Sequence, residues 1–315
     1  MKAAQFDKHG GPEVLQVREV PDPIPASNEV LIDVKATSVN RLDLFQRQGS
    51  RPVPKLPFTP GLEAAGVVVQ DSNGFRAGDR VLTTRAAGAN GGGGFASRIA
   101  APADGLARIP DQVSFEQAAA AGLASSTAWS GLFDNGNLKP NERVLIWAGS
   151  SGVGSIALQI AHHFGAWVAT TASSAKRAEE LKRLGADLVI NPKEQNVGQE
   201  LQNVGGVDLV LELIGTTLQD SIDACKPEGR VVLIGNLSGH ESTVNTQTWR
   251  LKRVRVLGGG LMHTSPANEE QVLRLIAEKV VTPLIAHTLP LEQAAEAHRL
   301  QEQSKHQGKI IVVHS

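Results

Sequence analysis

Two hydrophobic rhythms divide the chain. Up to about residue 121, apolar residues come in short alternating runs broken by turn formers. Beyond about residue 122, unbroken apolar runs alternate with stretches of helical period. In the first part, Lys2–Phe6, Leu15–Val20, Glu29–Thr37, Ala64–Gln70, Arg80–Thr84 and Phe95–Ala100 predict short strands. Pro21, Pro23 and Pro25 separate two of them, because proline cannot donate to a central ladder. Arg41–Gln48 reads as a short helix, and Gly88–Gly94 as a mobile tip or lid, since no helix follows it.

In the second part, Val144–Ala148 is apolar throughout, which predicts a strand covered on both faces of a parallel sheet. After the turn Gly149-Ser-Ser-Gly-Val-Gly154, the residues Ile156, Ala157, Ile160, Ala161 and Phe164 form one helical stripe. Trp167–Thr171, Leu188–Asn191, Asp208–Leu213, Arg230–Gly235 and Val254–Gly258 complete six strands, with helices at Ser174–Leu184 and Thr217–Cys225. The class is α/β, with a Rossmann-type doubly wound parallel sheet. The tail predicts helices at Asn268–Val280 and Leu291–Gln301 and a strand at Lys309–Val313. A strand left over from a finished sheet is expected to return to the first domain. The domains are therefore 1–121 with 262–315, a discontinuous β domain, and 122–261.

Strand, glycine turn and helix N-terminus together make an anion site, because free N–H groups and the helix dipole converge there. A dinucleotide pyrophosphate is the usual occupant. Ser151 stands where G-x-G-x-x-G has its middle glycine, leaving Gly149 for the turn, Gly152 for backbone approach and Gly154 for helix packing, with Ser150 and Val153 between them. An NAD site carries an acid roughly 20 residues past the first glycine. Here no carboxylate precedes Glu179, while Ser173 and Ser174 can donate hydrogen bonds and Lys176 and Arg177 bring positive charge. This predicts NADPH. The other reading leaves a serine as helix cap and the two bases on a solvated face.

Composition narrows the class. Basic and acidic residues nearly balance, 31 against 32, so nothing points to nucleic acid or an anionic membrane. No apolar signal core or 18-residue apolar run is present, which gives the cytoplasm as the expected compartment. Cys225 is the one cysteine, and the nine histidines show no ligand spacing, so no metal site is expected. Tyrosine, a common proton donor, is absent from the chain.

Several motifs occur in a characteristic order: Val39-Asn-Arg-Leu-Asp43, Pro57-Phe-Thr-Pro-Gly-Leu-Glu-Ala-Ala-Gly-Val67, Gly94-Phe-Ala-Ser97, Ile109-Pro-Asp111, Ser126-Thr-Ala-Trp129, the glycine turn, Asp208-Leu-Val-Leu-Glu-Leu-Ile-Gly215 and Leu233-Ile-Gly-Asn236. Over nearly its whole length the chain resembles the zinc-independent medium-chain dehydrogenase/reductases, in their quinone oxidoreductase (zeta-crystallin-like) group. The resemblance implies a GroES-like β domain packed on a Rossmann domain, NADPH in the cleft between them, and dimers or tetramers. Zinc-bearing relatives carry Cys at Asn40, His at Leu62, and Cys or Asp near Leu123. By the same resemblance Asn40 and Asp43 face the substrate, and Thr127 lies beside the nicotinamide ribose. Gly152, Val153 and Gly154 hold the pyrophosphate, Ser173 and Lys176 the 2′-phosphate. Gly235 and Asn236 form the loop near the nicotinamide, and Lys309 is a basic residue against the cofactor. The chain departs from the pattern at Ser50-Arg51 and at Pro192, where some members have tyrosine.

Without zinc to polarise a simple ketone, hydride transfer favours an acceptor that already delocalises charge, a quinone or an α,β-unsaturated carbonyl. Asn40 would donate to the acceptor oxygen, with the final proton from water. Alternatives are an enoyl-thioester reductase and a non-catalytic, crystallin-like NADPH-binding protein. Asp43 can equally pair with Arg47, one turn on. Arg47 and Arg51 read as solvated charges, Glu63 as a buried structural carboxylate, and Trp129 and Trp147 as packing.

Overall fold

Strict alternation along one long strand shows how the first unit is built. In β3 (Glu29–Ser38), Val30, Ile32, Val34 and Ala36 are buried while the residues between them are half-buried. That is the signature of a sheet with one covered face. The computed structural model describes residues 1–86, 92–259 and 265–314. Its first unit comprises Met1–Leu123, Thr264–Lys279 and Pro283–Ser315, and its second Ala124–His263 with Val280–Thr282.

Before the division lie β1 (Lys2–Gln5), β2 (Gln16–Glu19), β3, α1 (Arg41–Gln48), β4 (Ala64–Val68), β5 (Arg80–Thr83), β6 (Arg98–Pro102), β7 (Leu106–Arg108) and α2 (Phe115–Trp129), within which the division falls. The second unit carries β8 (Arg143–Ile146), α3 (Gly152–His163), β9 (Trp167–Thr171), α4 (Ala175–Arg183), β10 (Leu188–Ile190), α5 (Val197–Asn203), β11 (Val207–Glu212), α6 (Leu218–Ala224), β12 (Cys225–Leu233), α7 (Thr246–Lys252) and β13 (Arg255–Gly258). The chain then adds α8 (Pro266–Ala277), β14 (Ile285–Pro290), α9 (Ala294–Gln303) and β15 (Lys309–Val313) to the first unit.

The six strands of the second unit are all parallel, in the order β10-β9-β8-β11-β12-β13. This is the doubly wound arrangement, with its switch point between β8 and β11. Val144, Leu145 and Ile146 are wholly buried, as their unbroken apolar run predicts. In the first unit β15 inserts beside β3, antiparallel to it and parallel to β14. Apolar side chains of β3, β4, β5 and β6 fill one core, and α1, α9 and β15 help to close another.

The last strand falls where its apolar run predicts, at Lys309–Val313. Several elements escape the sequence pattern: β7, β14, α5, α7 and most of α2. The alanine-rich α2 is buried nearly all round, so no polar face announces its period. Residues 88–91 of the glycine-rich loop lie outside the described residues. Its end is held, since Gly94 N–H donates to Gly61 O at 2.9 Å. No helix among the described residues is long and apolar enough to cross a membrane.

Candidate active site

Two sheet registers assemble a polar cluster in the first unit. Ile311 pairs with Ser38 in antiparallel register across β15 and β3, so Lys309, two residues before Ile311, comes opposite Asn40, two residues after Ser38. Ala36 pairs with Ala65 across β3 and β4, which brings Glu63 opposite Ser38. The Glu63 carboxylate is completely buried. Its Oε1 accepts from Ser38 Oγ, from Asn40 Nδ2 at 2.8 Å and from Lys309 Nζ at 3.4 Å, and its Oε2 accepts from Leu123 N–H. So many donors offset the cost of removing the charge from water. Gly122 must be glycine, because a Cβ there would stand 2.1 Å from Glu63 Oε2.

Asn40 is occupied at both ends of its amide. Its Oδ1 accepts from Lys309 Nζ at 2.6 Å, and Nδ2 reaches Ser38 O at 3.5 Å besides Glu63. The donor expected to meet an acceptor oxygen is therefore turned into the protein. Asp43, wholly buried, accepts from Asn40 N–H at 2.7 Å and Gly61 N–H at 2.9 Å. Burial pushes its carboxyl up to about 7, against the lowering effect of those two N–H groups. It does not pair with Arg47. That guanidinium, fully buried rather than solvated, meets Glu302 on α9. Burial, with the Arg47 charge adding to it, pushes the nearby buried His298 down to about 3.

In the second unit the turn after β8 is shaped by its own packing. A Cβ on Gly149 would meet Thr170 Oγ1 at 2.1 Å, and one on Gly154 would meet Ala148 O at 2.3 Å. Ser151, which replaces the middle glycine, caps α3 by accepting from Gly154 N–H at 3.0 Å. Ser150, Gly152 and Val153 are half-buried on this turn, and the N–H groups of Gly152 and Val153 have no protein acceptor among the described residues. The residues fit a pyrophosphate at this helix N-terminus.

Past β9, Ser174 caps α4 by accepting from Arg177 N–H at 3.4 Å, so the capping reading holds for this serine. Arg177 Nη1 donates to Ser173 Oγ at 3.5 Å, and Lys176 is exposed. Gly235 packs on Leu213, whose carbonyl oxygen a Cβ would approach to 2.3 Å. Asn236 Nδ2 and His240 Nδ1 are 2.7 Å apart, and Thr127 is half-buried on α2.

Sequence reasoning missed Glu212. Buried at the end of β11, it accepts from Ile214 N–H, Gly215 N–H and Thr217 Oγ1 at 2.7 to 2.8 Å. A lone acid closing an apolar strand just before a glycine is the signal that could have found it. Trp147 is packing, as expected, with its Nε1 donating to Ser221 Oγ at 2.9 Å. The structure also brings Lys309, read as a cofactor residue, together with Asn40 and Asp43.

A six-stranded doubly wound sheet in the second unit and a first unit completed by the chain's own last strand define a class, the two-part medium-chain dehydrogenase/reductases. Residues 26–111 match the alcohol dehydrogenase GroES-like domain, and residues 152–278 match the zinc-binding dehydrogenase family. The chain belongs to the quinone oxidoreductases of that superfamily. It is 34% identical to quinone oxidoreductase 1 of Escherichia coli, over 98% of each chain. The structure of an Escherichia coli quinone oxidoreductase complexed with NADPH is similar at a TM-score of 0.89, with 33% identity, 99% of this chain and 100% of that one. An NAD-dependent alcohol dehydrogenase is similar at 0.91, with 32% identity over 99% of each chain.

The second family description implies zinc, and the donor set here does not fit it. Among the described residues no group of three or more His, Cys, Asp or Glu is placed to hold a metal ion. Cys225 is buried, and burial pushes its thiol up to about 12. The cation of the Glu63 cluster is the Lys309 ammonium.

Proposed function

We propose that this chain is an NADPH-dependent oxidoreductase of the cytoplasm that reduces a quinone or an α,β-unsaturated carbonyl. The observation that carries the reading is the turn at the switch point. There a serine-capped helix presents the N–H groups of Gly152 and Val153, and no carboxylate follows β9 before Glu179. Gly149, Ser150, Gly152, Val153 and Gly154 hold the pyrophosphate. Ser173, Lys176 and Arg177 take the 2′-phosphate, Ser174 fixing the start of α4 behind them. Thr127, Gly235 and Asn236 serve the nicotinamide end. When bound, NADPH supplies a hydride. The NADPH-bound relative supports this choice of carrier.

In the first unit Asp43 fixes the entry to α1 through the N–H groups of Asn40 and Gly61, and Asn40 joins Glu63 to Lys309. This buried polar cluster is where the oxygen of the acceptor gains its charge. Domains 1–121 with 262–315 and 122–261 carry these two tasks. The exposed edge strand β13 suits assembly into a homodimer or a larger even assembly.

The test is NADPH absorbance followed against 9,10-phenanthrenequinone, an enone and an enoyl-CoA. Consumption with the quinone or enone, and little with NADH, is expected. A melting temperature raised by NADPH with no acceptor reduced would instead make this a binding protein.

A further inference from the structure

The reading above leaves open which group meets the oxygen of the acceptor, and the hydrogen bonds of the cluster decide among its members. Asn40 has two amide hydrogens, and these point to Glu63 Oε1 and Ser38 O. Its oxygen already accepts from Lys309. Asp43 offers two oxygens and both accept from backbone N–H. The Ser38 hydroxyl donates to Glu63. The donors of Asn40 and Ser38 are thus committed, and Asp43 is turned to backbone N–H groups.

Lys309 differs. An ammonium has three N–H donors. Among the described residues two partners meet it, Asn40 Oδ1 at 2.6 Å and Glu63 Oε1 at 3.4 Å. The third N–H is uncommitted. The side chain is 9% exposed and its counter-ion 0%, so the nitrogen is held from behind by buried groups. A charged donor fixed before the reaction needs no reorganisation as negative charge develops on an oxygen, and it is a stronger donor than a neutral amide.

We propose that Lys309 donates its third N–H to the carbonyl oxygen of the acceptor, with Asn40 and Glu63 as positioning residues that aim it. Lys309 acts as a hydrogen-bond donor only, and the proton that completes reduction comes from water. The proposal rests on the oxidoreductase reading and moves Lys309 from the carrier to the acceptor.

The experiment uses the full chain with K309M, K309R and the charge-balanced double variant K309M/E63Q, which removes both ends of the buried pair should K309M alone fail to fold. Three quantities are read: kcat with 9,10-phenanthrenequinone, the NADPH Kd from tryptophan fluorescence, and the Kd of 2,4-dinitrophenolate, a phenolate probe, for the protein without NADPH. Expected are a kcat about 100-fold lower in K309M or the double variant, a phenolate Kd raised about tenfold, and an NADPH Kd within about twofold of the parent. K309R keeps the charged donor and recovers at least about a tenth of the turnover. Turnover of K309M equal to the parent, or an NADPH Kd that rises in step with the loss, overturns the proposal while the enzyme reading stands. A parent protein that binds NADPH and reduces no acceptor overturns both.

Discussion

Lys309 Nζ lies 2.6 Å from Asn40 Oδ1 although 269 residues separate them in the chain. The contact follows from one β-sheet register, β15 on β3, and ties the end of the chain to the start of α1. Several measurable properties of the two units derive from contacts of this kind.

Lys176 is exposed beside the Ser174-capped start of α4. Its charge helps only a carrier that bears a 2′-phosphate. K176E is expected to raise the NADPH Kd about tenfold and leave the NADH Kd unchanged. Fluorescence titration with both nucleotides checks this, and an unmoved NADPH constant would take Lys176 out of phosphate binding.

Asp43 makes stability depend on pH. Burial raises its carboxyl from 3.8 to about 7 in the fold, so between those values the folded chain binds more protons than the unfolded one. This contribution to stability is present in acid, falls as pH rises from about 4 to about 7, and is flat above. Urea unfolding of D43N should show a shallower fall between pH 5 and pH 8, by on the order of 3 kcal/mol. Parallel curves for the two proteins would contradict the shift.

His298 works in the opposite sense. It is wholly buried, neither ring nitrogen has a protein partner among the described residues, and its pKa drops from 6.5 to about 3. Unfolding lets the ring take a proton, so its contribution is present above pH 6.5 and lost as pH falls toward 3. H298L should match the parent near pH 8 and exceed it at pH 5 by on the order of 2 kcal/mol. Equal acid sensitivity in both proteins is the contrary result.

Two alanine substitutions separate packing from mere glycine content. G122A drives a methyl to 2.1 Å from a buried carboxylate oxygen, whereas G258A meets nothing within 4 Å. Thermal melts should show G122A destabilised by about 3 kcal/mol or more and G258A within about 0.5 kcal/mol of the parent. A stable G122A would mean that Glu63 can move aside.

The parallel sheet was legible because burial on both faces leaves an unbroken apolar run, as in Val144–Ile146. The return of the last strand was legible from counting strands. Neither Arg47 nor Lys309 announced its place. An arginine in a short amphipathic helix reads as solvated, and only α9, some 255 residues on, supplies the Glu302 that lets it be buried. Lys309 begins its strand, and nothing local tells which pair of side chains it will meet. The sequence singles out Asn40 as a donor facing the substrate and says nothing of the Glu63 and Lys309 it meets. Its donor was misdirected, since the orientation of an amide depends on neighbours such as Glu63 that only tertiary structure provides.

During synthesis Glu63 leaves the ribosome 246 residues ahead of Lys309. Until β15 arrives, that carboxylate lacks the Lys309 cation, and the Ala36–Ser38 end of β3 stays unpaired on the side where β6 covers only Glu29–Asp33. A ribosome stalled shortly before residue 309 would thus hold a first unit lacking its own counter-charge.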